Sequence, residues 1–321
     1  MKTIELFYKN TAKNKLIQSG DKIIIAVSGG ADSISLAHLL WRLSKKINIF
    51  LTIVHFDHGL RLEAVKEKKL VNLLSNAMQI PFYFQKLSVK KYAKKCKISI
   101  ETAGRDLRYA ALEQIAKEKK FNKIATAHNA NDNAETVLMW LLRGGGNFSG
   151  IPQRRLINKN LEIIRPLLPI KRKLIDEYIK EQQLSFCTDK SNFSDEFTRN
   201  KIRHAIIPHI EKINNKAIEH IFEISRIQSL EDDYMNEICA KLIAQSVKKS
   251  KNSVILDLNR FLGYNAALRY RILKEALPEK KNSYQINFLM EKILSFDKSP
   301  HQLSNDWVFK LNDKKAVFKR K

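Results

Sequence analysis

The feature that most constrains the fold of this chain is an apolar segment that leads directly into a glycine-rich turn. Residues 23–27 read Ile-Ile-Ile-Ala-Val, the turn is Ser28-Gly29-Gly30-Ala31-Asp32-Ser33, and apolar residues at helical spacing continue through Trp41. This pattern predicts a buried strand, a tight loop and a helix. The backbone N–H groups of such a loop and the positive end of the helix dipole meet at one point, which suits a phosphate group.

The turn differs from the two common phosphate-binding loops. Those loops require either four residues between two glycines followed by Lys-Ser/Thr, or the spacing G-x-G-x-x-G. Here Gly29 and Gly30 are adjacent, and the turn ends in Asp32-Ser33. A carboxylate beside a polyphosphate is useful if it binds Mg²⁺, which neutralises a leaving group. An ordinary strand–turn–helix connection is the alternative interpretation.

Strands and helices alternate along the first two thirds of the chain. Apolar, β-branched segments at 23–27, 47–56, 82–87, 123–127 and 161–165 predict strands, and helical patterns lie between most of them. Such alternation predicts an α/β fold with a doubly wound parallel sheet, whose ligands bind at the carboxyl ends of the strands. Beyond 215 the pattern is mostly helical, with a hairpin at 307–318. We therefore predict a catalytic domain over 1–215 and a smaller, mostly helical C-terminal domain over 216–321.

Two polar clusters directly follow predicted strands. The first is His55-Phe56-Asp57-His58-Gly59-Leu60-Arg61, which could surround the base and ribose of a nucleotide, bind a metal or form a plain turn. In the second, His128 precedes a predicted helix that places Asp132 and Glu135 on one face. Two such carboxylates can bind an ammonium group, and one of them can accept its proton. Simple capping of the helix is the alternative.

Two pairs of arginines accompany these clusters. Arg105 and Arg108 share a face of a predicted helix, and Arg199 and Arg203 follow the polar segment 189–192. Guanidinium groups in these positions suit contacts with phosphate or RNA, although solvated helix faces are the alternative for the first pair.

Composition indicates the kind of partner. The 58 Lys and Arg residues exceed the 33 Asp and Glu residues, so the net charge is +25. An excess spread over the whole chain favours a polyanionic partner, most simply nucleic acid, although a lysine-rich composition also arises from an AT-rich genome. The three cysteines are far apart and form no C-x-x-C pair, which argues against a disulfide framework or a structural zinc site. Without a membrane-length apolar run or a signal-peptide pattern, we expect a cytoplasmic protein with no membrane contact.

The motifs taken together resemble one enzyme family. SGGADS, HFDHGLR, RDLRY, TAHNANDNAETVLMWLLRGGG and DKSN…TRNKIR occur in this order over residues 20–215. In this respect the chain resembles the tRNA(Ile)-lysidine synthetases, which are N-type ATP pyrophosphatases of the PP-loop class. The resemblance implies an adenine nucleotide alpha-hydrolase-like fold with ATP and Mg²⁺ as cofactors. The implied activity is that of an AMP-forming ligase, which adenylates C2 of the wobble cytidine, position 34, of tRNA(Ile) with a CAU anticodon. It then attaches L-lysine to form lysidine.

The resemblance also assigns roles to individual residues on the nucleotide side of the site. It implies that Ser28, Gly29, Gly30, Ala31, Asp32 and Ser33 hold ATP. Asp32 would bind Mg²⁺ and would also be one of the catalytic residues. His55 would belong to the nucleotide site.

On the substrate side, the resemblance implies five further catalytic residues. Asp132 and Glu135 would receive the lysine substrate, and Arg108 would support Asp132. His128 would lie beside the reacting groups, and Arg199 would contact the cytidine or its phosphate.

The sequence leaves some expectations open. Many relatives are expected to carry a second acidic residue after Asp132, where this chain has Asn133, which loosens the assignment of metal and lysine ligands. The C-terminal domain is expected to bind tRNA, and a homodimer is left open. The alternatives are a PP-loop enzyme of the 2-thiolation type, which needs a persulfide-bearing cysteine or a C-x-x-C pair, and a non-catalytic protein that binds ATP or RNA.

Overall fold

The computed structural model describes residues 2–59, 64–144, 148–187, 198–279 and 281–321. The chain forms two compact units, Met1–Arg226 and Ile227–Lys321. The polar segment 189–192 and Arg61, both singled out in the sequence, lie outside the described residues.

The first unit alternates strands and helices. Its elements are α1 Lys2–Lys13, β1 Lys22–Ala26, α2 Ala31–Ser44, β2 Phe50–Asp57, α3 Ala64–Met78, β3 Phe82–Lys86, α4 Val89–Cys96, α5 Ile100–Lys119, β4 Lys123–Ala125, α6 Ala130–Leu142, β5 Arg154–Asn158, β6 Leu161–Ile164, α7 Arg172–Glu181, α8 Thr198–Lys201, a π-helical turn Ile202–Ile206 and α9 Ile207–Ile213. Helix α10, Ala217–Ser246, begins in this unit and ends in the second.

A six-stranded sheet forms the centre of the first unit. Its strand order is β3-β2-β1-β4-β6-β5, and every neighbouring pair is parallel except β5–β6. This order confirms the predicted doubly wound parallel sheet. Strand β5 had no signal in the sequence because most of its side chains are exposed at the sheet edge.

The apolar strand that opens the chain's central motif is buried on both faces. Ile23 and Ile25 pack into one apolar cluster, which contains residues of α1, α2 and α7, whereas Ile24 packs into a second cluster with residues of α4 and α5. Side chains alternate between the faces of a strand, so a strand covered by helices on both sides is apolar throughout. Each fully buried isoleucine contributes about 1.5–3 kcal/mol to stability.

The segment around Lys90–Lys97, which the sequence indicates as a basic connector, contains helix α4. Val89 and Ala93 are buried on its inner side, and most of its lysines are exposed. Val89, Tyr92, Ala93 and Cys96 recur at helical spacing, and the four lysines between them are what make the segment resemble a basic connector in the sequence.

The second unit combines helices with an antiparallel sheet. After α10 come β7 Val247–Lys249, β8 Ser253–Asp257, α11 Leu258–Leu262, α12 Ala266–Ala276, α13 Ser283–Leu294, β9 His301–Gln302, β10 Trp307–Leu311 and β11 Lys315–Arg320. The sheet order is β7-β8-β11-β10-β9, and its core includes Phe261, Phe309 and Phe318. The predicted hairpin is the β10–β11 pair. None of the described helices is both long and apolar enough to cross a membrane.

Candidate active site

A cleft of about 610 Å³ lies at the carboxyl ends of the parallel strands in the first unit. Its walls include the loop after β1, the end of β2, the segment after β4 and residues of the α8 region. This is the edge at which open α/β sheets bind their ligands. Among the predicted site residues, Ser28, Gly30, Ala31, Asp32, Ser33, Arg108, His128, Asp132 and Arg199 line it.

The glycine-rich loop has the geometry of an anion cradle. Gly29 has φ +94°, a conformation that favours glycine, and Gly30 is the N-cap of α2. The Ser33 hydroxyl donates to the Gly30 carbonyl at 2.9 Å and accepts the Ser28 N–H at 3.2 Å. These bonds fix the loop at the positive end of the α2 dipole, so the site is preorganised for a phosphate.

Asp32 is a carboxylate held in a partly desolvated position. Its Oδ2 atom lies 2.6 Å from Arg172 Nη1, and its Oδ1 atom accepts a hydrogen bond from Asn129 Nδ2 at 3.0 Å. Burial raises the pKa of Asp32 to about 6; Arg172 opposes the shift and the nearby carboxylate of Asp132 adds to it. A second cation close to both carboxylates would relieve this repulsion.

The start of α6 is fixed by a capping box. The Asn129 side chain accepts hydrogen bonds from the N–H groups of Asn131 and Asp132, and Asp132 Oδ2 accepts one from the Asn129 N–H at 3.0 Å. Asp132 therefore caps the helix, which is the alternative to ammonium binding given in the sequence analysis. Its other oxygen, Oδ1, lies 3.2 Å from Arg199 Nη2 and 3.3 Å from Arg203 Nη2, so Asp132 serves a cap and an ion-pair network at once.

Glu135 lies beneath the same two arginines. Its side chain is 1% exposed, and its oxygens lie 2.6 Å from Arg199 Nε and 2.6 Å from Arg203 Nε. Glu135 does not line the cleft, whereas Asp132 and both arginines do. The two carboxylates and two guanidiniums form a balanced network, and the arginines lie on α8 and on the π-helical turn, an irregularity that is frequent at functional sites.

His128 is held neutral beside this network. Its Nδ1 atom lies 3.0 Å from the Thr126 hydroxyl. Burial lowers its pKa to about 3, and the positive charges of Arg165, Arg199 and Arg108 add to the effect. At neutral pH the ring can therefore accept or donate a hydrogen bond, but it carries no charge.

His55, in contrast, does not line the cleft. It is 1% exposed, its Nδ1 atom donates to the Val27 carbonyl at 2.8 Å, and its ring stacks on Phe84. The side chain thus supports the strand that leads into the phosphate loop. The neighbouring Asp57 and His58 line the cleft at this strand end.

Arg108 lies in the wall of the cleft without an ion pair to Asp132 among the described residues. Its guanidinium lies 5.8 Å from the ring centroid of Tyr109, and burial lowers its pKa. Support of Asp132 comes instead from Arg199 and Arg203.

Asn133, where the family resemblance leads us to expect an acidic residue, points away from the cleft. It is fully buried, its Nδ2 atom donates to Ser225 Oγ at 2.8 Å, and its Oδ1 atom accepts the Ile151 N–H at 2.7 Å. Gly150 packs so closely that an added Cβ would lie 2.2 Å from Asn133 Oδ1. Asn133 therefore serves the packing of α6 rather than the cleft.

Cys187 is a cleft residue that the sequence did not indicate. Its N–H donates to the Gly29 carbonyl at 2.9 Å, and burial raises the pKa of its thiol. A raised pKa keeps the thiol protonated at neutral pH, which disfavours a nucleophilic or sulfur-carrying role. Among the described residues no group of three or more His, Cys, Asp or Glu side chains is arranged to hold a metal ion by itself.

Comparison with known proteins agrees with this architecture. Residues 2–210 match the PP-loop domain family. A tRNA(Ile)-lysidine synthase of Caldanaerobacter subterraneus subsp. tengcongensis is 36% identical over 273 residues, which cover 84% of this chain and 58% of the relative. One of Thermosipho africanus is 45% identical over 230 residues, covering 69% of this chain and 53% of the relative.

A solved structure also shares the fold. The U34-tRNA thiolase NcsA from Methanococcus maripaludis superposes with a TM-score of 0.62 at 18% identity, covering 71% of this chain and 79% of that chain. The chain spans rather more than half the length of these two tRNA(Ile)-lysidine synthases. With a family match over residues 2–210 and the phosphate loop in place, this chain belongs to the PP-loop domain family.

Proposed function

We propose that the chain is the catalytic part of an ATP-dependent ligase that attaches L-lysine to C2 of the wobble cytidine, position 34, of tRNA(Ile) with a CAU anticodon. The observation that carries the proposal is the convergence, in one cleft, of the phosphate loop, Asp32, neutral His128, Asp132 and two arginines. The similarity to tRNA(Ile)-lysidine synthases supports this choice of substrate.

The reaction has two steps. The O2 atom of the cytidine attacks the α-phosphorus of ATP and releases pyrophosphate. An amine of lysine, after losing a proton, then forms a bond to C2, and AMP leaves with the former O2 atom. The loop Ser28–Ser33 holds the phosphates, and neutral His128 is positioned to hydrogen-bond near the reacting atoms.

Asp32 fits a divalent cation. The carboxylate of Asp132 lies close enough to raise the pKa of Asp32, so added positive charge is favoured here, and hard oxygen ligands beside a phosphate loop are those that Mg²⁺ prefers. When bound there, Mg²⁺ would neutralise the charge of the departing pyrophosphate.

We assign the amino-acid substrate to Asp132 and a positioning role to Glu135. Asp132 lines the cleft, whereas Glu135 is buried and holds both arginines in place. A lysine ammonium would approach Asp132 Oδ1, where the arginines now bind. Arg199 and Arg203 then turn to the RNA phosphate or the cytidine, as expected for Arg199 from the family resemblance.

A thiolating activity has less support. Cys187 is the single cysteine in the described wall of the cleft, and its thiol is protonated at neutral pH. Binding of tRNA by residues 216–321, a cytoplasmic location and a homodimer stay predictions.

The Asp32→Ala variant tests the proposed chemistry. With ATP, Mg²⁺, L-lysine and a tRNA(Ile) transcript, formation of AMP and pyrophosphate should fall by about a hundredfold or more, because the carboxylate that would hold Mg²⁺ beside the leaving pyrophosphate is lost. Asp313→Ala, which removes an exposed aspartate of the second unit, is the control. Unchanged AMP formation by Asp32→Ala at saturating Mg²⁺ would overturn the assignment of Asp32.

A further inference from the structure

Four arginines surround a single tyrosine at one side of the cleft. The guanidinium carbons of Arg105, Arg108 and Arg155 lie 5.2, 5.8 and 5.0 Å from the ring centroid of Tyr109. Arg165 lies near the same ring, and the proximity of Tyr109 opposes the lowering of the Arg165 pKa by burial. We call these five residues the Tyr109 arginine cluster.

The positive charge of the cluster is not compensated. Among the described residues, none of its four arginines forms an ion pair with an Asp or Glu side chain, unlike Arg172, Arg199 and Arg203. Burial lowers the pKa of Arg108 and of Arg165, and the charge of Arg105 adds to both shifts. Guanidiniums gathered without an acidic partner attract an anion.

Arg165 indicates that this arrangement is built into the fold. It is 2% exposed, and its Nη1 atom donates to the Pro152 carbonyl at 2.5 Å. Its Nε atom is buried without a hydrogen-bond partner in the described part of the chain. A buried guanidinium with an unused donor and no acidic neighbour is expensive unless an anion completes it.

The location distinguishes this cluster from the ATP phosphate site. The phosphate loop follows β1, whereas Arg165 follows β6 and Arg155 lies on β5. Strand β4 lies between β1 and β6, so spacings of about 4.8 Å per strand place β6 roughly 10 Å and β5 roughly 14 Å from β1. Arg108 and Tyr109 also line the cleft, which makes the cluster continuous with the site of reaction.

We propose that the Tyr109 arginine cluster binds a backbone phosphodiester of the RNA substrate, adjacent to the nucleotide whose base enters the cleft. The inference rests on the proposed function for the identity of the RNA. Guanidinium groups match the oxygens of a phosphodiester by paired hydrogen bonds, and a tyrosine ring keeps several of them in place through cation–π contacts. The phosphates of ATP have the same chemistry, so the test must separate the two sources.

The test compares two double variants of the full chain. R105Q/R155Q removes two exposed arginines of the cluster, and K117Q/K159Q removes two exposed lysines from α5 and the β5–β6 turn, with the same loss of charge. Filter binding measures the Kd of a tRNA(Ile) transcript over a range of salt concentrations, and titration calorimetry measures the Kd of ATP with Mg²⁺. Thermal unfolding verifies that each variant is folded.

We expect R105Q/R155Q to raise the RNA Kd about tenfold or more. The slope of log K against log salt should decrease by about 0.7–0.9 for each phosphate that the variant no longer neutralises. The Kd of ATP should stay unchanged, and K117Q/K159Q should have a clearly smaller effect on RNA. Equal effects of the two variants on RNA would overturn the inference, as would a loss of ATP affinity with RNA binding intact.

Lysine incorporation by the wild-type chain, measured in the same preparation, separates this inference from the proposed function. If the wild type attaches lysine while R105Q/R155Q binds RNA normally, only the cluster assignment fails. If the wild type binds RNA through the cluster but attaches no lysine, the proposed function fails and the phosphate site stands.

Discussion

At the scale of single residues, the cleft is governed by how a few buried charges are balanced. Asp32 has one strong partner, Arg172, and a carboxylate neighbour, Asp132. Asp132 and Glu135 are matched by Arg199 and Arg203. The site is therefore nearly neutral around Asp132 and Glu135, and beside the phosphate loop it carries Asp32, an acid whose ionisation is disfavoured by burial.

The raised pKa of Asp32 makes a prediction about stability and pH. An aspartate whose folded-state pKa is about 6 favours the folded state in its protonated form, so its ionisation destabilises the fold as the pH rises from about 4 to 6. At pH 7.5 without ligand, Asp32→Asn should raise the free energy of unfolding by about 1–3 kcal/mol, the lower values applying if Arg172 is left poorly solvated.

Denaturant unfolding of both proteins at pH 7.5 and pH 4 measures this difference. It should be present at pH 7.5 and nearly vanish at pH 4, where both side chains are neutral. A variant that is less stable than the wild type at pH 7.5 would show that the ion pair with Arg172 outweighs desolvation.

Asp132 and Glu135 should respond differently to loss of charge. Asp132→Asn should raise the KM for lysine about 10- to 150-fold while adenylation of tRNA continues, since one charge-assisted bond of about 1.5–3 kcal/mol is lost. Glu135→Gln should lower adenylation and lysine transfer together, because Arg199 and Arg203 lose their buried anchor.

Separate measurements of adenylated tRNA and of lysine incorporation distinguish the two roles. The reverse result, in which Glu135→Gln affects lysine alone and Asp132→Asn does not, would identify Glu135 as the lysine ligand. Normal kinetics in both variants would show that Asp132 and Glu135 have a structural role at the start of α6 and none in substrate binding.

At the scale of elements, the sequence was most informative where signals are local. The strand, loop and helix at 22–44 and helix α6 lie within one or two residues of their predicted bounds, because the apolar run, the glycines and the cap residue act within a few positions. Strands β5, β7, β8 and β9 were missed. Most side chains of β5 are exposed, β7 and β9 are only three and two residues long, and β8 pairs with β11, about sixty residues further along the chain.

In the site, too, the residues that were predictable are those with a local signal in the sequence. The phosphate loop and the carboxylates of α6 could be located because each directly follows a strand. Arg172 could not, because it reaches Asp32 across 140 positions of the chain. His55 lies at a strand end, where a nucleotide-binding residue would also lie. Its side chain instead donates a hydrogen bond to the Val27 carbonyl, and only the tertiary structure distinguishes a binding role from this supporting role.

At the scale of the whole molecule, the chain that forms the two compact units is strongly basic. A net charge of +25 means that any nucleic acid bound to it should be held partly by neutralised phosphates. The first unit contains the whole cleft, whereas the second contributes a sheet and helices of its own. We therefore expect catalysis within Met1–Arg226, and recognition of the remainder of the tRNA stays the predicted role of the C-terminal residues.

The most direct test of the proposed function is transfer of radiolabelled lysine to RNA. The full chain is incubated with Mg²⁺, labelled lysine and a tRNA(Ile) transcript carrying CAU, with and without ATP, and label in the RNA is scored. We predict ATP-dependent labelling that disappears when C34 is replaced by U and that other unlabelled amino acids do not compete away. ATP-dependent AMP formation without labelled RNA, or labelling that survives loss of C34, would contradict the proposed function.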